Sequence, residues 1–138
     1  MLSIRPFTDA DLEATIALWQ ACALIRSWNN PEQDIAHCRA NPTSELFVGF
    51  YGGEIVASVM AGNDGHRGAV YYVASSPAHR NKGFGRQMIR HAETWLKEQG
   101  VWKINLMIRD GNDQARGFYS AIGYEEEPRI VMARRLDP

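Results

Sequence analysis

The sequence predicts a mixed α+β domain, and three observations support this prediction. Apolar side chains recur at every second residue between residues 45 and 61, which indicates paired β-strands. Between residues 83 and 99 they recur at the helical period, which indicates an amphipathic helix. Along the chain the patterns follow the order β-α-α-β-β-β-α-β-α-β without repeats, an order typical of α+β domains.

Length and composition indicate a single globular domain, residues 1–138, located in the cytoplasm. The chain is 45% hydrophobic and 10% aromatic, so it can bury a core without disulfides or a structural metal. Its 12 glycines and 6 prolines are too few for a collagen-like or disordered chain. Neither a run of 18 apolar residues nor a signal-peptide pattern occurs, so we expect no membrane partner. Cys22 and Cys38 lack the spacing of zinc ligands, and no metal is expected.

The two halves of the chain differ in charge. Residues 1–79 carry four basic and eight acidic side chains, whereas residues 80–138 carry eleven basic and eight acidic ones. The overall net charge of −1 gives no general reason to bind nucleic acid or an anionic membrane. The asymmetry instead suggests a cationic ligand on one side of the domain and an anionic ligand on the other.

In the N-terminal half, a strand over residues 2–7 precedes the capping-box pattern of residues 8–11 and a first helix. The apolar face of that helix comprises Leu12, Ile16, Trp19 and Ala23. Asn30 and Pro31 are typical of the start of a second helix, which ends before Pro42. A hairpin follows and turns at Gly52-Gly53. In the first strand of the hairpin Leu46, Val48 and Phe50 are predicted to share a face. In the second strand Ile55, Ala57, Val59 and Ala61 are predicted to share a face.

A polar loop over residues 63–68 leads into a strand over residues 69–75. That strand is predicted to place Val70, Tyr72 and Ala74 on one face. The helix over residues 83–99 has an apolar stripe of Phe84, Met88, Ala92, Trp95 and Leu96 and ends at Gly100. A strand is predicted over residues 102–109, then a helix that starts at Asn112 with Ala115, Phe118, Tyr119 and Ile122 facing inward. Residues 124–136 can supply one or two further strands.

The loop before the long helix is the most informative segment for function. A helix N-terminus offers unpaired N–H groups and the positive end of the helix dipole to an anion. Gly83 and Gly85 allow the backbone to approach an oxyanion closely, and Arg80, Lys82 and Arg86 add positive charge. The loop therefore suits a diphosphate, although a basic helix start with glycines for turn geometry explains the loop alone equally well. The Walker and Rossmann phosphate motifs do not match.

Two spaced motifs resemble those of the GNAT superfamily of acetyl-CoA-dependent N-acetyltransferases. The first, R/Q-x-x-G-x-G/A, is present as Arg80-x-x-Gly83-x-Gly85. The second, N-x-x-A-x-x-[LF]-Y-x-x-x-G-[FY], is matched at the right distance downstream by Asn112, Ala115, Phe118, Tyr119, Gly123 and Tyr124. Segments at residues 28–31 and 64–68 also resemble those of small bacterial members, so the resemblance covers the whole chain.

This resemblance implies a mixed, mostly antiparallel sheet with a V-shaped splay between its central strands, flanked by about four helices. The strand over residues 69–75 would bend at a bulge and diverge from the next strand, leaving a gap for the acetyl-thioester. Backbone groups of Val73, Ala74 and Ser75 would pair with the pantetheine arm of the coenzyme. The pyrophosphate contacts would come from Arg80, Asn81, Lys82, Gly83, Phe84, Gly85 and Arg86, and further coenzyme contacts from Asn112, Ala115, Phe118 and Tyr119.

The same resemblance implies that Tyr119 is the general acid that protonates the leaving thiolate. A phenol with an ordinary pKa of about 10 can protonate a thiolate with a pKa near 8.5 at modest cost. From the residues alone, Phe118 and Tyr119 also fit an aromatic pair on the core face of their helix. Many protein N-terminal acetyltransferases of the superfamily have a glutamate base where this chain has Met107, which cannot accept a proton.

Asp64 and His66 are the best substitutes for that base, acting directly or through water. A turn at Asp64 with a solvated histidine explains the same residues equally well. The candidate acceptor-site residues are Trp28, Asn29 and Asp64. Trp28 also fits a core aromatic.

The sequence therefore predicts an N-acetyltransferase, a monomer or homodimer, that acetylates an amine of a small molecule or peptide. The alternative is a non-catalytic acyl-CoA-binding sensor that regulates a partner, against which Tyr119 argues mildly. An RNA-directed acetyltransferase would favour a basic acceptor face, so the acidic N-terminal half argues against a nucleic-acid partner.

Overall fold

Five strands form one sheet in the computed structural model, which describes residues 1–138. They are β1 (Ser3–Pro6), β2 (Ser44–Tyr51), β3 (Glu54–Asn63), β4 (Gly68–Ser75) and β5 (Ile104–Asn105), and they lie in sequence order across the sheet. The first three pairs are antiparallel, and β4 pairs with β5 in parallel. The helices are α1 (Leu12–Ala21), α2 (Pro31–Ala40), α3 (Phe84–Glu98) and α4 (Asp113–Ala121). The predicted α+β class, with a mostly antiparallel sheet and four helices, is confirmed.

The chain divides into two compact units, Met1–Leu106 and Met107–Pro138. The first unit contains the whole sheet with α1, α2 and α3, and the second contains α4 and the C-terminal segment. The predicted coenzyme-binding loop and the candidate acceptor residues therefore belong to the first unit. Tyr119 belongs to the second.

Helices cover both faces of the sheet in the first unit. On one face, a buried cluster joins α1 and α2 to the strands through Leu18, Trp19, Ile35, Cys38, Leu46, Val48 and Ala74. On the other face, Phe47 packs edge-on against His91 and Trp95 of α3, with ring centroids 4.5 and 5.9 Å apart. Because both faces are covered, neighbouring residues of β2 are buried together, as in sheets sandwiched between helices.

A β-bulge in β3 changes the faces that the two-residue period predicts. Gly49 pairs with Ala57 but Phe50 pairs with Ile55, so β3 has one extra residue at Val56. Ile55 packs against the α1–α2 cluster, whereas Ala57 lies beside Gly49 on the face covered by α3. The prediction that Ile55 and Ala57 share a face is therefore wrong.

A second bulge bends β4, as the resemblance implied. The pairing changes from Ser58↔Ala74 to Met60↔Tyr71. β4 therefore has one extra residue, at Tyr72 and Val73, and Tyr72 adopts a φ of +50°. Tyr72 packs with the α1–α2 cluster. The extra residue reverses the alternation of side chains, so Val70 and Tyr72 lie on opposite faces of the sheet. The prediction that Val70 shares a face with Tyr72 and Ala74 is therefore wrong.

The first helix ends earlier than its apolar pattern predicts. Ala23, assigned to the helix from its spacing, lies outside it with a φ of +57° and is exposed. The N–H of Leu24 donates to the Trp19 carbonyl at 2.9 Å and that of Ala23 to Gln20 at 3.1 Å, which is a Schellman ending. An alanine occupies the left-handed position where glycine is usual, so the sequence lacks the stop signal.

The strand predicted over residues 102–109 is present only at Ile104–Asn105. Its pairing with β4 stops at Ala69↔Asn105, so β4 continues without a partner on that side. This divergence is the splay that the resemblance implied. The strands predicted over residues 124–136 are absent, and Ile130 and Met132 are exposed there. The second unit contains no strand with which they could pair.

The capping box that precedes α1 includes a partly buried ion pair between the buried Asp11 and the more exposed Arg5. The Asp11 carboxylate accepts the N–H of Thr8 at 2.8 Å and two guanidinium bonds from Arg5 at 2.7 and 2.9 Å. The Arg5 bond, followed by those from Thr8, holds the pKa of Asp11 below its ordinary value. The ionised Asp11 carboxylate therefore contributes to folding stability at pH values above the pKa that Asp11 has in the unfolded chain. This contribution is lost as the pH falls through the pKa of Asp11 in the folded protein.

Replacing Asp11 with asparagine is expected to lower the free energy of unfolding by about 1–2 kcal/mol at neutral pH, because the partly buried charge-assisted bonds to Arg5 and Thr8 are weakened. The variant should also lose less stability than the parent between pH 6 and pH 3, as measured by thermal unfolding. Asp9→Asn is the matched control, since Asp9 pairs with Arg39 at the exposed surface and its removal should leave Tm almost unchanged. Equal pH dependence in the parent and Asp11→Asn would contradict this assignment.

Candidate functional site

β4 continues into α3 through a loop with two left-handed residues. A 3₁₀ turn at Pro77–His79 follows the strand and is capped by the Ser76 side chain. Asn81 has a φ of +63° and Gly83 a φ of +75°. Glycine adopts this conformation without strain, and no heavy atom lies within 4 Å of a Cβ added at Gly83. The loop therefore has an open face at this glycine.

Unpaired amides and positive charge meet at the start of α3. Its first backbone hydrogen bond runs from the N–H of Gln87 to the carbonyl of Gly83 at 3.1 Å, so the amides of residues 84–86 have no partner within the helix. Gly83 supplies no capping side chain. The cations around these amides are Arg80, Lys82 and Arg86, and all three are exposed. This arrangement can hold a diphosphate.

An aromatic cluster anchors the loop to β2. The ring of Tyr51 lies 5.2 Å from that of Phe84 and 5.4 Å from that of His79. The ammonium of Lys82 lies 5.4 Å from the Tyr51 ring centroid, within range of a cation–π contact. Since Phe84 is buried, the first turn of α3 is fixed against the sheet while its amides face outward.

The edge of β4 from Val70 to Ser75 has no strand partner on the β5 side. The N–H of Ser76 donates to the carbonyl of Val56 in β3 at 2.7 Å, so Ser76 and Val56 face each other as a hydrogen-bonded pair. By alternation, the N–H and C=O of Ser75 point to the open edge. Cys22 Sγ donates to the Ser75 carbonyl at 3.3 Å, which leaves one lone pair for a second donor. An extended polar chain can pair with this edge as an added strand.

Ala74 does not present its backbone to this edge. It pairs with Ser58, and the alternation that directs Ser75 outward directs the Ala74 N–H and C=O toward β3. This direction does not favour pairing of Ala74 with the pantetheine arm, and its role in coenzyme binding remains a prediction. The pairing of Val73 and Ser75 with the arm also remains a prediction, which the open edge at Ser75 favours.

Tyr72, at the bulge, is held by contacts from three elements. Its carbonyl accepts the Ser58 hydroxyl at 2.8 Å, and the Ser58 oxygen in turn accepts the Trp19 indole N–H at 2.8 Å. Its ring stacks on Trp19, and its hydroxyl donates to Asp34 Oδ2 at 2.5 Å. Burial, assisted by Asp34, raises the pKa of Tyr72, so the hydroxyl remains a donor.

Neither Asp34 nor Tyr72 was predicted as a residue of the functional site. Asp34 fits the ordinary preference for acidic residues in the first turn of a helix, and Tyr72 fits a strand aromatic. The two residues are 38 positions apart in the chain. Only the packing of α2 against the bulge brings them together, so no local pattern could have indicated the pair.

Asp64 and His66 lie in the loop between β3 and β4. Asp64 Oδ1 accepts the N–H groups of His66 and Arg67 at 2.8 and 2.7 Å. The bonds from Arg67 and then His66 hold the pKa of Asp64 below its ordinary value, so it is a weaker base than a free carboxylate. Gly68, where this loop ends, is four positions before Tyr72 at the bulge, a distance of about 13 Å along an extended strand. The turn interpretation explains Asp64, and its role as base remains a prediction.

Trp28 and Asn29 lie between α1 and α2. The N–H of Asn29 donates to the Arg26 carbonyl at 3.1 Å, and Asn30 caps α2 through the N–H of Gln33. Trp28 is 52% exposed, which excludes the alternative of a core aromatic. Both residues are accessible to a ligand, and their role in acceptor binding remains a prediction.

In the second unit, Asn112 Oδ1 accepts the N–H of Ala115 at 3.1 Å and caps α4 as predicted. The ring of Tyr119 lies 4.9 Å from that of Phe118 and 5.6 Å from that of Tyr124, both edge-on. Burial among these groups raises the pKa of Tyr119 to about 12. The phenol is protonated at neutral pH and is a weaker acid than the ordinary pKa suggests.

Two further features concern the chain as a whole. No helix combines the length and apolar character needed to cross a membrane. No three histidine, cysteine, aspartate or glutamate side chains lie together as the ligands of a metal ion would.

Comparison with known proteins identifies relatives along almost the whole chain. The model of the acetyltransferase (GNAT) family matches residues 7–124. A protein of Yersinia enterocolitica named acetyltransferase is 42% identical over 98% of this chain and 96% of its own length. The residues matched by the family model include the glycine loop, residues 80–86, and the motif at α4, residues 112–124.

Solved structures show the same fold at low sequence identity. An aminoglycoside antibiotic 6'-N-acetyltransferase from Acinetobacter haemolyticus is 18% identical with a TM-score of 0.79, covering 98% of this chain and 99% of that chain. A ribosomal-protein alanine N-acetyltransferase from Escherichia coli is 21% identical with a TM-score of 0.77, covering 92% of this chain and 79% of that chain. These two proteins are named for different acceptors, so the fold alone does not identify an acceptor.

Proposed function

The chain belongs to the GNAT family of acetyltransferases, and we propose that it transfers the acetyl group of acetyl-CoA to a primary amine of a small molecule or peptide. Acetyl-CoA is the cosubstrate of this family. We further propose that residues 1–138 form one catalytic domain, since the family match spans residues 7–124. The observation that carries the proposal is the continuity of the open β4 edge with the cationic start of α3.

The residues of the first unit fit an extended carrier that ends in a diphosphate. In this proposal the outward backbone groups of Val73 and Ser75 pair with the amides of the pantetheine arm. The free amides of residues 84–86 and the loop cations then bind the pyrophosphate. Gly83 lets the backbone approach the phosphate oxygens, because no side chain stands between them.

The reaction forms a C–N bond and breaks a C–S bond. Acetyl-CoA supplies an acetyl group activated as a thioester. The neutral amine provides the electron pair for the new bond, the sulfur leaves with the pair of the broken bond, and the nitrogen releases one proton to solvent. The binding residues contribute mainly by holding the thioester in place for attack.

We propose that Tyr119 donates a hydrogen bond to the departing sulfur. The pKa of Tyr119 is about 12, so complete proton transfer to a thiolate with a pKa near 8.5 would be unfavourable by about 3–4 pKa units. A hydrogen bond stabilises the developing negative charge without that transfer. The proton that the thiolate finally takes up then comes from solvent.

The acceptor is expected to be an amine of low pKa, because Met107 supplies no base. At pH 7 about 10% of an α-amino group with a pKa near 8 is neutral, compared with about 0.04% of a lysine side chain with a pKa near 10.4. We therefore expect kcat/KM to favour α-amino acceptors and to rise with pH until the acceptor itself is deprotonated.

The test measures CoA release and acetylated product, by mass spectrometry, with amino-acid amides, lysine side-chain analogues, polyamines and aminoglycosides. Rates are compared from pH 6 to pH 9. CoA release that requires one of these amines supports the proposed function. CoA binding without acetylation of any amine would contradict the proposed function, and a preference for lysine side chains at pH 7 would contradict the pKa argument.

A further inference from the structure

The contact between Asp34 of α2 and Tyr72 of β4 is not used by the coenzyme site. The Tyr72 hydroxyl donates to Asp34 Oδ2 at 2.5 Å. The Tyr72 ring stacks on the buried Trp19, with 3.8 Å between ring centroids and 13° between ring planes. The stacking and the hydrogen bond fix both ends of the tyrosine side chain. The carboxylate is therefore held in one position before a ligand binds.

The backbone at Tyr72 is constrained as well. A φ of +50° is costly for a bulky residue and persists only where the surroundings enforce it. Here Ser58 enforces it by donating to the Tyr72 carbonyl at 2.8 Å while it accepts the Trp19 indole N–H. The pair of Asp34 and Tyr72 is thereby fixed at the bulge. The bulge lies within the unpartnered stretch of β4. In the proposed function the coenzyme extends from the pyrophosphate at α3 past Ser75 and Val73, so its thioester end would lie near this bulge.

The carboxylate of Asp34 has unused binding capacity. It is half-buried, forms no ion pair, and accepts only the neutral Tyr72 hydroxyl, through Oδ2. Oδ1 accepts no hydrogen bond from the protein and is not sealed from solvent. Partial burial of an anion with a single neutral donor is unfavourable, and a cation or N–H donor would offset it. The surrounding N-terminal half is acidic, which also favours a cationic ligand.

We propose that Asp34 is the acceptor-binding carboxylate of this enzyme and that Oδ1 accepts an N–H of the attacking amine. This inference rests on the proposed function and narrows the acceptor to primary amines that are cations in solution. The neutral form that attacks still donates an N–H to Oδ1. The positive charge that develops on nitrogen as the C–N bond forms is stabilised by the carboxylate, and the excess proton then passes to solvent. Tyr72 acts as the positioning residue.

The test is Asp34→Asn, which removes the charge but keeps an oxygen that can accept the Tyr72 hydroxyl. We expect kcat/KM for the best amine of the panel to fall roughly 10–100-fold, the range for loss of a hydrogen bond to a charged group. The Tm shift produced by CoA should not change. The alcohol analogue of that amine, with a hydroxyl in place of the amino group, serves as a competitive inhibitor. The preference for binding the amine over the alcohol should disappear in the variant.

Glu32→Gln is the matched control, because it removes the same charge from an exposed position of the same helix. It should retain kcat/KM within about twofold. Tyr72→Phe keeps the ring and the Asp34 charge, so it should lower kcat/KM while preserving the preference for the amine. Parent-like kcat/KM and amine preference in Asp34→Asn would overturn the inference and leave the proposed function intact. A parent enzyme that acetylates no amine would instead contradict the proposed function, and this inference with it.

Discussion

Replacing Tyr119 with phenylalanine is expected to lower kcat roughly 10²–10³-fold, with KM for acetyl-CoA nearly unchanged. The range is that for loss of one hydrogen-bond donor to a charge that develops in the transition state. The substitution removes one hydroxyl and keeps the ring that packs against Phe118 and Tyr124. The fold of α4 should therefore persist. Steady-state kinetics combined with single-turnover measurements provides the test.

Tyr124→Phe is the control for this substitution. It removes a hydroxyl from the ring that lies 5.6 Å from Tyr119, and the family motif accepts either phenylalanine or tyrosine at its position. We expect kcat within about twofold of the parent. A single-turnover rate for Tyr119→Phe equal to that of the parent would assign Tyr119 a packing role alone. Single-turnover measurement is needed because slow product release can hide a change in the chemical step.

The pH dependence gives an independent check on Tyr119. Since burial raises the pKa of Tyr119 to about 12, its phenol remains protonated through the range in which the acceptor amine loses its proton. The profile of kcat/KM should therefore rise with pH and show no fall near pH 10 caused by this residue. A fall near pH 10 that disappears in Tyr119→Phe would show that the phenol has an ordinary pKa in the working enzyme.

Local chemistry explains which parts of the fold could be predicted. α2 starts at Pro31 because Asn30 accepts the N–H of Gln33 and proline fits the first helical position, and both signals are contained in adjacent residues. The start of α3 at Phe84 after left-handed Gly83 is local in the same way. The two motifs of the family are also short. Sequence alone therefore sufficed for the fold class and for the local structure of the proposed coenzyme loop.

Features that depend on pairing between distant segments could not be predicted. The bulges in β3 and β4 are visible only once the strand registers are known, and they reverse the faces assigned to Ile55 and Val70. The contact of Asp34 with Tyr72 depends on the packing of α2 against one of those bulges. The proposed acceptor carboxylate depends on such a contact, whereas the proposed pantetheine and pyrophosphate contacts come from one continuous stretch of chain. This difference explains why short motifs could indicate the coenzyme, whereas no local pattern indicated the acceptor.

A negative charge at Gly83 is expected to abolish coenzyme binding with little effect on the fold. Gly83→Asp is suitable because aspartate tolerates the left-handed region that the φ of +75° requires, and a Cβ there meets no neighbouring atom. The carboxylate would face a diphosphate held by the amides of residues 84–86 and would repel it. At a CoA concentration 100 times the parent Kd, the parent gains about 2.7 kcal/mol of stability, which raises Tm by several degrees. Gly83→Asp should show no such shift.

Gly83→Asn is the matched control for this charge, because it has the same shape and the same tolerance of a positive φ. If the loop binds the diphosphate, the asparagine variant should bind CoA more weakly than the parent, because its side chain hinders the approach of the phosphate, but should retain part of the Tm shift. Its Kd for CoA, measured by calorimetry, should be lower than that of Gly83→Asp by about 100-fold at low salt. The difference should shrink as ionic strength rises, since exposed charges are screened within about 10 Å at 0.1 M salt. Gly85→Ala, which the family motif accepts, should bind CoA like the parent. Equal CoA affinity in Gly83→Asp and Gly83→Asn at low salt would show that the diphosphate lies elsewhere on the chain.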